Sequence, residues 1–200
     1  MEINLTGFLP ALLPIALSPG ASFTLAMNSA LTAGRRGLVK TLLGTALGIY
    51  THALLIGLGL STVLVASPAL FALLKMAGVL YLFWLGGLLF ITGIRTRAFV
   101  LKTTGSAITV KGAWLANVAN PKAILFYLTV VSQFVGDRAG IDAFLTLATV
   151  HIVVMSLWLA LFSQALVFSA QKINPVALKR YVNIGGGLLL IGIAVRTLIA

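Results

Sequence analysis

One lysine in the second half of the chain lies within an apolar run, where its charge needs a partner. Lys122 lies in the apolar run 112–135 of a chain with only three acidic residues, none of them in the interior of such a run. A lysine at the centre of a membrane span costs about 2.5–3.5 kcal/mol on insertion scales, so its side chain should face the protein interior or water. We predict that Lys122 binds a carboxylate of another molecule or free backbone carbonyls. The alternative is that its long side chain reaches the membrane surface.

Two proline-containing steps interrupt the apolar runs. Proline removes a backbone donor and glycine weakens the following turn, so Pro19-Gly20 and Asn120-Pro121 should each break a helix and expose backbone groups. The amides at a helix N-terminus carry partial positive charge and can bind a carboxylate. Each proline alone could also make an ordinary kink, and a serine can simply bond within its own helix. The predicted binding site consists of Pro19, Gly20, Ser22, Asn117, Asn120, Pro121 and Lys122.

The two histidines, His52 and His151, are the candidates for carrying protons, because imidazole titrates near neutral pH. His52 shares a helix face with Gly44 and Gly48, and small residues on one face allow close helix packing, so His52 should point into the bundle. The alternative for both histidines is a simple hydrogen bond between helices. Neither has the carboxylate or thiolate neighbours of a metal site, so no metal and no cofactor are expected.

The composition places these residues in a membrane. Of the 200 residues, 60% are hydrophobic and 8% are charged, whereas a soluble domain has about 25% charged residues. The net charge of +11 is spread over short clusters between apolar runs, which argues against nucleic-acid binding. The chain contains no cysteine, so thiol chemistry is excluded. It also lacks a G-x-S-x-G motif or a metal-spaced histidine set, so it is not expected to be an enzyme.

Six apolar runs are long enough to cross the bilayer as helices, which predicts an all-α membrane protein with one domain, 1–200. Lysine and arginine collect in the first, third and fifth loops, near 35–40, 95–111 and 172–180. Cytoplasmic loops carry this excess, so both termini should lie outside. The runs cover approximately 4–33, 38–62, 68–94, 112–135, 142–169 and 181–199.

The two halves of the chain, about 1–100 and 101–200, resemble each other. Residues 81–91 match 181–191 at an offset of 100, residues 18–21 align with 120–123, and His52 has a counterpart in His151. Since the halves begin on opposite sides of the membrane, such a duplication is inverted. Inverted three-plus-three repeats with broken helices, here the first and fourth, are a transporter architecture. The alternative is a chance match between Gly/Leu-rich runs.

Three stretches, 34–52, 74–86 and 112–126, carry a family resemblance that covers nearly the whole chain. With its Asn120-Pro121-Lys122 element, the sequence resembles the lysine-exporter (LysE) superfamily, in particular the homoserine/threonine-exporter (RhtB) branch of bacterial inner-membrane proteins. It departs from the family at Ala21-Ser22, where the family typically has Pro and then Asn or Asp. Ser132 also stands where a proline is usual.

The resemblance implies a multi-pass secondary-active exporter of amino acids or their derivatives in the bacterial inner membrane, coupled to the proton-motive force. A cation or metal permease of the same architecture is the alternative. The expected partners are a small-molecule amino-acid substrate and the lipid bilayer. A homodimer stays open, because Gly44 and Gly48 could pack within one chain or between two.

Overall fold

A computed structural model describes residues 3–97, 108–135, 140–168 and 175–199, and these ranges contain helices and no strands, as predicted. Residues 103–106, 136–138 and 174, which lie between the predicted apolar runs, fall outside the described ranges. The α-helices are α1 (Leu5–Leu17), α2 (Ala21–Ala66), α3 (Pro68–Arg95), α4 (Val110–Val118), α5 (Pro121–Leu125), α6 (Ile141–Phe168) and α7 (Pro175–Ile199). A π-helical turn, Phe126–Val130, and a 3-10 turn, Val131–Gln133, follow α5.

Helix α2 reverses direction at Gly34, where the sequence predicts a four-residue loop, 34–37. Gly34 has φ 58° and ψ −147°, and glycine adopts a positive φ without steric cost. The hydroxyl of Thr41 donates to Ser29 Oγ at 2.7 Å, although the two residues are 12 positions apart. On a straight helix this separation would place them about 18 Å apart. Segments 21–33 and 35–66 therefore lie side by side. The predicted break between the first two apolar runs is found at Gly34, but the four-residue length of the loop is wrong because one glycine makes the turn.

Four helical stretches in the described ranges are long and apolar enough to cross a membrane: Ala21–Gly59, Met76–Arg95, Ile141–Gln164 and Val176–Ile199. The first has 39 residues and would measure about 58 Å if straight, nearly twice the hydrocarbon core, but the reversal at Gly34 divides it. Helix α1 is a shorter apolar helix. The six-span count and the outside position of the termini stay predictions.

Glycines allow α3 and α7 to pack closely in antiparallel directions. A methyl group on Gly86 would lie 2.9 Å from the carbonyl oxygen of Gly187. One on Gly93, two turns further along α3, would lie 3.1 Å from the carbonyl oxygen of Arg180, two turns earlier on α7. This reversed order makes the pair antiparallel. Helix α7 also begins at Pro175, ahead of the predicted boundary at 181, because proline suits the first helical position.

The predicted glycine stripe of α2 packs within the chain. A methyl group on Gly48 would lie 2.6 Å from Asn117 Oδ1, and Gly44 packs against the start of the same helix, α4. Gly59, one heptad beyond His52 on the same helix, faces open space instead. The two contacting glycines are therefore used inside the chain, and the homodimer stays a prediction.

The burial pattern is that of a protein surrounded by lipid. Large apolar side chains face outward, with Leu55 64% and Leu161 67% exposed. Polar side chains such as Ser29, Thr41 and Ser132 are buried and form hydrogen bonds within the protein. In lipid, polar groups must find partners inside the protein, so this arrangement is expected for a membrane protein.

Candidate functional site

The first helix break frees a backbone carbonyl. Helix α1 ends at Leu17 and α2 begins at Ala21, so the helix breaks at Pro19-Gly20 as the sequence predicts. In a continuous helix the amide of Pro19 would bond to the carbonyl of Ile15, but proline has no amide hydrogen. The Ile15 carbonyl instead accepts hydrogen bonds from the Ser18 hydroxyl at 3.2 Å and from Lys122 Nζ at 3.1 Å.

At the second helix break, both the amide and the carbonyl of Lys122 are held by side-chain hydrogen bonds. Helix α4 ends at Val118, and α5 begins at Pro121. Asn120 Oδ1 accepts a hydrogen bond from the amide of Lys122 at 3.1 Å, which is the usual way in which an asparagine caps a helix. The Tyr81 hydroxyl donates to the carbonyl of Lys122 at 3.1 Å. This backbone anchoring positions the lysine side chain opposite the first break.

The ammonium group of Lys122 therefore connects the two breaks. It donates to the Ile15 carbonyl and to the hydroxyl of Ser18, a residue that is 4% exposed. An ammonium group has three hydrogens, so one remains available. Of the three acidic residues in the sequence, Asp142 lies exposed at the start of α6, and Glu2 and Asp137 fall outside the described ranges. No carboxylate in the described ranges neutralises Lys122.

A cleft surrounds this contact. The space between its walls, including its open mouth, is about 510 Å³. Five of the predicted binding residues line it, and so does His151. Pro19 and Pro121 do not line it; Pro19 instead borders a smaller apolar side pocket. The polar lining consists of Ser18, Gly20, Ser22, Asn117, Asn120, Lys122 and His151, and the apolar lining includes Ile15, Phe23, Ile49, Phe126, Met155 and Leu159.

Asn117 links α4 to both segments of α2. Its Nδ2 donates to Ser22 Oγ at 3.4 Å, and its backbone carbonyl lies 3.2 Å from His52 Nε2. His52 is 5% exposed and points into the bundle, as the glycine stripe predicts. It does not line the cleft. The bond from His52 corresponds to the interhelical hydrogen bond that the sequence offers as the alternative to proton transfer.

His151 borders the cleft and contacts Tyr127, a residue that sequence reasoning missed. The Tyr127 hydroxyl lies 3.2 Å from His151 Nδ1. The Tyr127 ring stands between the two histidines, with its centroid 6.0 Å from that of His52 and 5.9 Å from that of His151. All three side chains are buried. The feature that points to Tyr127 is the π-helical turn that carries it, since such turns often occur at functional sites. This turn is visible only in the structure.

The described part of the cleft offers no metal site. No group of three or more His, Cys, Asp or Glu side chains comes together in the described ranges. The charged side chain that lines the cleft is the cation Lys122. A metal ion would therefore meet like charge, whereas an anionic group would be attracted to it. The arrangement can bind a carboxylate.

Comparison with known proteins identifies the family. The model of the LysE type translocator family matches residues 13–200. This chain belongs to the LysE family. It is therefore a multi-pass protein of the bacterial inner membrane, in agreement with its apolar helices. No solved structure matches it significantly.

Individual relatives of this LysE-family chain are similar to it over different lengths. An uncharacterised membrane protein of Vibrio cholerae is 32% identical over 125 residues, and the homoserine/homoserine lactone efflux protein of Salmonella typhimurium is 33% identical over 122 residues. Each of these matches covers 60% of this chain and 59% of the relative. The threonine efflux protein of Escherichia coli K12 is 26% identical over 189 residues, 92% of each chain.

Proposed function

We propose that this LysE-family protein is a secondary-active exporter of amino acids or amino-acid derivatives, and that the cleft between the two helix breaks binds the substrate. The observation that carries the proposal is Lys122, a cation in the cleft without an acidic partner in the described ranges. Relatives named for the efflux of homoserine and threonine support the substrate class.

The cleft offers complementary groups for the carboxylate and the side chain of such a substrate. The substrate carboxylate accepts from the third hydrogen of Lys122 Nζ, where a charge-assisted bond is strong. The first turn of α2, which begins at Ala21 beside the cleft, adds the amides of Ala21 and Ser22, which precede the first hydrogen bond of the helix. The apolar wall, including Phe126 and Met155, contacts the substrate side chain. The cation permease alternative is not favoured, because Lys122 repels a cation.

We further propose six crossings arranged as an inverted repeat. Its support is that residues at matching positions of the two halves face each other. Tyr50 and Thr149, which are 99 positions apart, are joined by a 2.9 Å hydrogen bond. A methyl group on Gly20 would lie 3.9 Å from Nζ of Lys122, its counterpart at the second break. Residues near a two-fold axis contact their own counterparts, and transporters with inverted repeats alternate access by moving one half against the other.

The driving force of export is proposed to be the proton-motive force. His151 is the better candidate for the coupling group, since it lines the cleft together with Lys122 and contacts Tyr127. His52 is held against the backbone of Asn117 and is separated from His151 by the Tyr127 ring. A proton taken up at His151 would repel the lysine ammonium and so affect the binding of a carboxylate.

Replacement of the cleft lysine tests the binding role. Lys122→Met keeps the length of the side chain and removes its charge, and we expect it to abolish export while the protein still inserts. Lys111→Met is the matched control, because it is the same change at an exposed position in the first turn of α4. Cells producing each variant are loaded with a mixture of amino acids, and the release of each amino acid is measured alongside the amount of protein in the membrane.

Either of two outcomes would contradict the proposal. Export by Lys122→Met at the rate of the unmodified protein would remove the lysine from the binding site. Release of a metal ion, with no amino acid released faster than from cells that lack the protein, would favour the permease instead.

A further inference from the structure

Three aromatic rings from three elements form a buried stack beside the cleft. His52 comes from α2, Tyr127 from the π-helical turn and His151 from α6. The interplanar angles are 25° for His52 with Tyr127 and 18° for Tyr127 with His151. Tyr127 is completely buried, so its hydroxyl must be satisfied by the protein.

The hydrogen bond between Tyr127 and His151 has a definite direction. The Tyr127 hydroxyl has one partner, His151 Nδ1, in the described ranges. If Nδ1 carried the hydrogen and donated it, the buried O–H of Tyr127 would be left without an acceptor, and leaving a buried donor unsatisfied costs about 1–3 kcal/mol. The hydroxyl therefore donates, and Nδ1 accepts. A neutral imidazole that accepts at Nδ1 carries its hydrogen on Nε2.

The other ring nitrogen of His151 is free for a ligand. Nε2 has no hydrogen-bond partner in the described ranges, and His151 lines the cleft that Lys122 also lines. We propose that the Tyr127 hydroxyl holds His151 in the Nε2–H tautomer, so that His151 donates a second hydrogen bond to the substrate carboxylate bound by Lys122. Tyr127 is then a positioning residue that acts through His151. This inference rests on the proposed export function, since it assigns a further contact in the same cleft.

The tautomer itself can be measured without transport. The chain contains two histidines, so protein labelled with ¹⁵N-histidine gives two sets of imidazole nitrogen signals, and a His52→Gln variant assigns them. We expect His151 to be in the Nε2–H form in the unmodified protein and to lose this preference in Tyr127→Phe, which keeps the ring stack and removes the hydroxyl. An Nδ1–H tautomer of His151 in the unmodified protein would overturn the inference even if no amino acid is exported.

Transport kinetics test the contact with the substrate. Loss of one hydrogen bond should raise KM about three- to tenfold with little change in maximal rate, so we expect this for Tyr127→Phe. The amide nitrogen of glutamine can occupy the position of Nε2, whereas asparagine reaches only the position of Nδ1. His151→Gln should therefore raise KM less than His151→Asn, which should raise it like Tyr127→Phe.

A double variant separates positioning from packing. In the His151→Gln background there is no tautomer to set, so adding Tyr127→Phe should leave KM unchanged. A full KM increase in that background would mean that Tyr127 acts through packing and would refute its positioning role. If Tyr127→Phe does not accumulate in the membrane, equal KM values for His151→Gln and His151→Asn would refute the contact instead. Loss of export in Lys122→Met alongside either result would leave the proposed function standing.

Discussion

Single residues explain why a lysine is found in this apolar chain. Pro19 has no amide hydrogen, so the carbonyl of Ile15 lacks its helical partner, and Lys122 donates to it at 3.1 Å. The sequence predicts that Lys122 binds backbone carbonyls or a carboxylate, and the structure contains the first of these contacts. The free hydrogen on the same ammonium group leaves room for the second.

The two histidines should respond differently when they are replaced. His151 borders the cleft, whereas His52 bonds to a backbone carbonyl outside it. We expect His151→Gln to export without dependence on an imposed pH gradient, because glutamine cannot take up a proton. His52→Gln should keep this dependence. The measurement is amino-acid efflux from membrane vesicles with and without the gradient, and normal dependence in both variants would dismiss both histidines as proton carriers.

At the scale of elements, the cleft is built on short interruptions of the helices. The breaks at Pro19-Gly20 and Asn120-Pro121 are predictable from the sequence, because the missing amide of proline is a local property. The π-helical turn after α5 is not predictable in this way, since no residue type specifies it. Likewise, Gly34 signals a turn, but the sequence does not reveal that a single residue suffices to reverse the helix.

The contact between α2 and α4 depends on the absence of a side chain at Gly48. In Gly48→Ala the added methyl group would lie 2.6 Å from Asn117 Oδ1 and 2.7 Å from Asn117 Cβ, so the helices must separate. We expect a loss of stability of about 1–3 kcal/mol, seen as a lower melting temperature in detergent, together with reduced export. Gly59→Ala on the same helix faces open space and is the control. Equal melting temperatures for the two variants would contradict the close contact.

The whole molecule encloses buried polar residues within an apolar surface, and its orientation in the membrane is predicted from charge. Lysine and arginine mark the loops after the first, third and fifth spans, which predicts that both termini lie outside. The absence of cysteine means that a single introduced thiol can be labelled without background.

Labelling of two positions outside the helices tests this orientation. We expect Ile3→Cys, ahead of α1, to react in intact cells with a maleimide that does not cross membranes. Thr96→Cys, directly after α3, should react only after the membrane is opened. Labelling of both positions from outside would contradict three crossings between them, and the reverse pattern would invert the orientation.

The sequence by itself determined the membrane class, the family resemblance, the positions of the two breaks and most of the polar residues that line the cleft. These features depend on composition and on local chemistry, such as the missing amide of proline. Only the tertiary structure decided that the second break faces the first, where Lys122 meets Ser18 across 104 positions of sequence. It also decided that Tyr127 stands between His52 and His151. Contacts between distant residues depend on how the helices pack, and that packing is a property of the whole chain rather than of any one segment.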